Sequence, residues 1–201
     1  MIKIDKGPEP SEWTKYKLTP GVTYSAIPEL RKALLEEQGY LCAYCLGRIY
    51  DDPNKTKIEH LKSRKNHPNL ALDYHNMVVC CPGNLNGAFH CDTAKGDQDI
   101  SFSPFSSSLQ DSIRYSSKSG EISSSDENWD RELREVVKLN HNLLKANRLE
   151  TLRGVIMALE QKQWRRNELR IKLDEWQRPH ASGKKKPYCG IVIWFLKKKL
   201  P

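Results

Sequence analysis

Between residues 28 and 38 apolar positions recur one helical turn apart, at Leu30 and Leu34, with Pro28 in the first turn and Gly39 as a stop. This pattern predicts a helix. Ahead of it, residues 1–25 carry Pro8, Pro10, Pro20 and Gly21 around Trp13 and Tyr16, which predicts an extended arm that packs by its aromatic rings and has no regular structure. Residues 46–50 and 55–61 are expected as two short antiparallel strands, joined through the turn residues Asp51, Asp52, Pro53 and Asn54. On the second strand a period of two sends Glu59 and His60 to opposite faces, unless the strand bends or ends there. A basic loop fills 62–75, residues 76–79 lead into Cys81, and residues 92–95 open a short helix.

Residues 101–125 hold 12 serines, the composition of a linker. Residues 113–115 and 121–122 flank Ser119 and Gly120, however, and this favours a small hairpin. Ser124 and Glu127 have capping-box spacing, followed by Trp129, Leu133 and Val136 at helical spacing. After a break at 140–142 one helix is expected through Leu149, Leu152, Ile156 and Leu159, and another through Leu169, Leu173 and Trp176. Residues 179–186 form a basic loop. The apolar run 191–196 suits a buried strand or a core helix, and is too short for a membrane anchor. The expected fold is α+β in 201 residues: an arm 1–25, a core 26–100, a Ser-rich connector or hairpin 101–125, and a basic helical region 126–201 packed on the core.

Charged residues make up 29% of the chain and its mean hydropathy is −0.70, which excludes a membrane-embedded class. The first residues lack the apolar stretch of a secretion signal. A reducing cytoplasm is expected, where clustered cysteines serve as metal ligands and not as disulfides. The net charge of +8 is uneven: residues 1–139 hold 18 Lys/Arg against 20 Asp/Glu, and residues 140–201 hold 15 against 5. Such a basic end suits a polyanion partner or, equally, a solvated helix face.

Chemistry concentrates in residues 42–97, which contain four of the six histidines and five of the six cysteines. Cys42 and Cys45 form a Cys-x-x-Cys pair able to share one metal, and the cluster Cys80, Cys81, His90 and Cys91 can complete a tetrahedral site. Between them Glu59 directly precedes His60. A carboxylate that holds a divalent ion beside an imidazole that takes a proton from water is the pairing of a metal-assisted hydrolase.

The order acid-His at 59–60, then Asn76, then Cys91, Asp92 and Lys95, framed by two thiolate half-sites, resembles the motif of the HNH (ββα-metal) endonucleases. Flanking residues, including 137–140 and the basic tail after Cys189, are similar to the small HNH proteins that accompany an ABC-type ATPase in Septu and some retron anti-phage systems. The resemblance implies a zinc-stabilised ββα core in a mainly helical protein, with structural Zn²⁺ on Cys42, Cys45, Cys81 and Cys91. The gap between the last two is longer than the family's, and Cys80 or His90 could substitute. It implies His60 as general base, Glu59 and Asp92 as ligands of a catalytic Mg²⁺ or Mn²⁺, and Asn76 as the residue that holds the loop beneath the base. Asp92 departs from the family's usual His or Asn. Lys95 could approach a phosphate, and Lys184, Lys185 and Lys186 are expected to bind substrate backbone. His67, His75 and His141 are left as exposed or packing residues and Cys189 as a buried thiol. The implied activity is cleavage of nucleic acid, DNA by default and a structured RNA such as tRNA as the alternative. The implied partners are an ABC-type, PtuA-like ATPase subunit and, in retron relatives, a reverse transcriptase with its RNA/DNA product. A non-catalytic zinc module that only binds nucleic acid or protein is the rival.

Overall fold

A computed structural model describes every residue except Asn86 and Pro201. The described residues form a mixed α+β protein of helices and three two-stranded antiparallel sheets. In chain order these are α1 (Ser11–Lys17), α2 (Pro28–Glu37), β1 (Lys57–His60), β2 (Met77–Cys80), β3 (Asn84–Leu85), β4 (Ala88–Phe89), α3 (Cys91–Lys95), α4 (Ser107–Ser112), β5 (Ile113–Tyr115) and β6 (Ile122–Ser124). Then come α5 (Glu127–Arg131), continued by a π-helical turn at Glu132–Val136, and α6 (Asn142–Gln161), α7 (Arg166–Gln177) and α8 (Cys189–Lys199). One contiguous buried apolar cluster runs from Trp13 in α1 through β2, β5 and α6 to Leu196 in α8. No helix among the described residues is long and apolar enough to cross a membrane.

The helix expected from residue 28 is α2, and it stops at Gly39, whose φ of 61° suits a residue without a side chain. The arm is not irregular throughout: it contains α1. Trp13 is fully buried and stacks on Tyr16 one turn along, with ring centroids 5.1 Å apart, and this burial outweighs the turn-rich composition around it. The expected strand at 46–50 is also absent. That segment returns beside the chain just ahead of the cysteine knuckle, through a bridge between Leu41 and Arg48 and an Ile49 N–H donated to the Tyr40 carbonyl at 3.1 Å. The Thr56 hydroxyl then closes the 51–54 turn onto Tyr50. With that edge used, β1 pairs with β2 and sets His60 opposite Met77 and Glu59 opposite Val78.

Gln38, 3% exposed, locks this arrangement. Its amide nitrogen donates to the carbonyls of Leu41 and Val79, and its oxygen accepts from the Val79 N–H, all at 2.8 Å. One side chain thereby satisfies backbone groups of both the knuckle and β2, which buried polar groups require.

The serine-rich stretch is the hairpin β5–β6, preceded by α4. Asn140 clamps it by accepting from the Ile122 N–H and donating to the Ile122 carbonyl. Helix α5 begins two residues later than the capping-box spacing suggests: Asp126 is its cap and accepts from the Trp129 N–H. The apolar run at 191–196 resolves as helix α8. Ile191, Val192, Phe195 and Leu196 form its buried stripe, and three lysines in the last turn suit the negative end of the helix dipole. A Cβ on Gly190 would lie 2.5 Å from the Tyr115 hydroxyl oxygen, so the missing side chain lets α8 sit directly on β5.

Candidate functional site

Four cysteines meet at one point. The sulfurs of Cys42, Cys45, Cys81 and Cys91 all lie within 4.8 Å of one another, with Cys42 to Cys91 at 3.8 Å and Cys45 to Cys81 at 3.9 Å. Zinc with bonds of about 2.3 Å to sulfur sets tetrahedral edges near 3.8 Å, and a disulfide needs about 2.05 Å, so the donor set fits a zinc ion. The long segment between Cys81 and Cys91 folds back on itself through β3 and β4, returning Cys91 to the cluster. His90 and Cys80 stand outside the four. His90 Nδ1 is 3.0 Å from the Cys91 sulfur, placed to hydrogen-bond to it, and Cys80 is buried beside Cys42. The buried guanidinium of Arg148 interacts with Cys45 and Cys91 from the α6 side, a positive charge suited to a tetrathiolate.

Next to this cluster a cavity of about 730 Å³ is lined by Glu59, His60 and Asp92, with Arg31, Lys57, Arg64 and Lys65 around them. Strand β1 ends at His60, and this ending allows Glu59 and His60 to border the same space despite their alternation. His60 Nε2 lies 3.0 Å from the Ala71 carbonyl. A carbonyl only accepts, so Nε2 carries the proton and Nδ1 keeps the lone pair. Burial, reinforced by the nearby Arg64 and Lys95 charges, holds the imidazole down at about 4, which keeps it neutral at physiological pH. Tyr24 packs edge-on against the ring at 4.6 Å between centroids, and Arg64 lies over the Tyr24 ring at 4.5 Å.

Asn76 accepts from the Lys62 N–H at 2.8 Å and donates to the carbonyls of Lys62 and Leu70, so its amide fastens the loop that presents the Ala71 carbonyl to His60. Asp92, in the first turn of α3, pairs with Lys57 at 3.3 Å and lines the same cavity as Glu59. Burial and this second carboxyl push Glu59 up to about 8, against the pull of Lys95. The two carboxyls that line the cavity offer oxygen donors of the kind a divalent ion prefers.

Lys95 does not face the cavity. Its side chain has no exposed surface; its ammonium pairs with Glu59 Oε1 at 2.8 Å and donates to the His60 carbonyl at 3.2 Å. Lys184, Lys185 and Lys186 lie away from the His60 cavity and line none of it. Lys184 sits over Tyr40, Lys185 is tied through its backbone to Gly39 and Arg48, and Lys186 pairs with Glu175 beside Trp176. His67 pairs with Asp99, His75 packs on Tyr74, His141 caps α6, and Cys189 is buried. Sequence reasoning missed Tyr24, Arg64 and Tyr44, the last donating to Glu59 Oε1 at 3.2 Å. Only the basic, aromatic composition of 13–24 and 62–65 hinted at the first two.

No family model matches the chain. A curated relative, the Septu protein PtuB of Bacillus thuringiensis, is 26% identical over 96 residues. The match supports a Septu-like relationship. It covers 48% of this chain, which spans about a third (35%) of the relative's length.

Proposed function

We propose that this chain is a metal-dependent HNH endonuclease that hydrolyses phosphodiester bonds of nucleic acid, DNA in the first instance, as the effector of a Septu-like anti-phage system with an ABC-type ATPase partner. The observation that supports this reading most is the meeting of a neutral, carbonyl-oriented His60 with the Glu59 and Asp92 carboxyls in one cation-rimmed cavity. The distant likeness to a Septu protein supports the defence context.

In this reading zinc on the four cysteines is structural, joining the knuckle, the end of β2 and the start of α3 into one scaffold. His60 Nδ1 accepts the proton of the attacking water, and the Ala71 carbonyl fixes the tautomer that makes this possible. Asn76 and Tyr24 hold the loop and the ring, and Lys95 neutralises and anchors Glu59 without touching substrate. Arg64, Lys57 and Lys65 draw the phosphate backbone to the cavity. Glu59 and Asp92 would hold a divalent cation, and that ion would supply charge stabilisation for the phosphate.

The test is His60→Ala, assayed on duplex DNA and on tRNA with Mg²⁺ or Mn²⁺, with and without the ATPase. Cleavage should fall by roughly 10²–10⁴-fold, while zinc content and melting temperature stay at the wild-type values. Cleavage at the wild-type rate by a folded His60→Ala protein rejects the catalytic role and leaves a zinc module that only binds.

A further inference from the structure

A second cavity, of about 600 Å³, opens between α8, β5 and residues 1–3, and shares no lining residue with the His60 cavity. Its size falls in the usual range for small-molecule sites, about 300–1,000 Å³. Trp194 and Tyr115 form an aromatic wall, with centroids 6.2 Å apart at 61°. Around it stand Arg114, Lys185, Lys197 and Lys198, against one acid in the lining, Asp111. None of these four cations has a carboxylate at ion-pair distance among the described residues. The Arg114 guanidinium donates only to backbone carbonyls of its own turn, and the Lys198 ammonium hovers 5.5 Å from the Trp194 ring. Unpaired cations around a half-exposed indole suit a ligand that carries both a flat ring and phosphate.

We propose that this cavity binds one nucleotide, its base against Trp194 and its phosphate among Arg114, Lys185, Lys197 and Lys198. The geometry admits the same chemistry from a free nucleotide or from the terminal unit of a strand. A bare polyanion would use the cations but gain nothing from the indole. An acidic peptide would behave in the same way. The site is independent of the nuclease reading, since none of its residues borders His60.

The experiment titrates zinc-loaded full chain, without Mg²⁺, with ATP, with a 5′-phosphorylated single-stranded hexanucleotide, and with tripolyphosphate and poly-glutamate as ring-free controls, by calorimetry. Either nucleotide probe should saturate at one per chain, and Trp194→Leu should weaken it by roughly tenfold. The double variant Lys197→Ala/Lys198→Ala, at exposed positions that leave the core untouched, should weaken it at least as much. Tighter binding of the hexanucleotide than of ATP assigns the site to strand ends, and the reverse order assigns it to free nucleotides. No saturable binding of either probe overturns the proposal. So does binding indifferent to both variants, or ring-free controls that bind as well as ATP. The Trp194→Leu protein should keep the cleavage that the wild type shows, since Trp194 does not line the first cavity, and this separates the result from the outcome there.

Discussion

Stripping the metal from the cysteine cluster is expected to unfold the middle of the protein. Its four ligands come from three places: the knuckle holding Cys42 and Cys45, the residue after β2, and the first residue of α3. A structural zinc site contributes about 10–16 kcal/mol in small zinc peptides, as much as the whole net stability of a typical domain, about 5–15 kcal/mol. Treatment with a strong chelator, or Cys45→Ser, should therefore lower the melting temperature by more than about 10 °C. Elemental analysis should find one zinc per untreated chain. Burial works to raise the Cys42 thiol, but hydrogen bonds from Cys45, Cys80, Cys81 and Cys91 outweigh it and hold Cys42 well below the ordinary thiol range. Burial and the Cys42 charge push Cys91 up. Metal binding must displace protons from such thiols, so zinc loss should quicken as pH falls. A metal-free protein that melts at the wild-type temperature would contradict this account.

At pH 9, where Glu59 is ionised, replacing Lys95 by Met should cost about 3–5 kcal/mol, because it leaves that buried carboxylate without its counter-charge. The substitution is nearly isosteric and opens little cavity, so the loss reports charge more than packing. The double variant Lys95→Met/Glu59→Gln should recover most of it, and chemical denaturation of the four proteins in the cycle measures the coupling. The deficit should grow with pH when divalent cations are absent. Glu59 is raised from 4.5 to about 8 in the folded chain, so the folded carboxyl binds its proton more tightly than the unfolded one. Its protonated form stabilises fully below 4.5, and that contribution is lost as pH rises through about 8. A Lys95→Met protein as stable as wild type at pH 9 would show that Glu59 is relieved some other way.

The cysteine cluster was legible in part: the Cys-x-x-Cys pair and a second thiol cluster showed in the spacing, whereas the choice of Cys81 and Cys91 over Cys80 or His90 came from the family resemblance and is met by the four sulfurs that converge. Glu59, His60 and Asp92 were legible as residue types that belong together, but Lys95 was not legible as an inward-facing group. Its burial depends on α3 packing over β1, a long-range event that sequence spacing does not encode. Tyr24 and α1 escaped for a related reason: Trp13 and Tyr24 find their partners at Leu72 and His60, dozens of residues away. The missing strand at 46–50 shows local competition, since the knuckle's own return took the edge that a hairpin would have used.

The π-helical turn at Glu132–Val136 carries one residue more per turn than an α-helix, and that surplus acts as a length gauge. From it the Val137 carbonyl receives the Cys91 N–H at 2.8 Å, while the Glu132 carboxylate holds the Ser101 N–H and hydroxyl. Deleting a single residue here would draw the Val137 carbonyl away from Cys91 and the Glu132 carboxylate away from Ser101. The half that carries the cysteine cluster and the helical half would then lose their common fastening, so this stretch should refuse changes of length that the surface turn at 51–54 accepts.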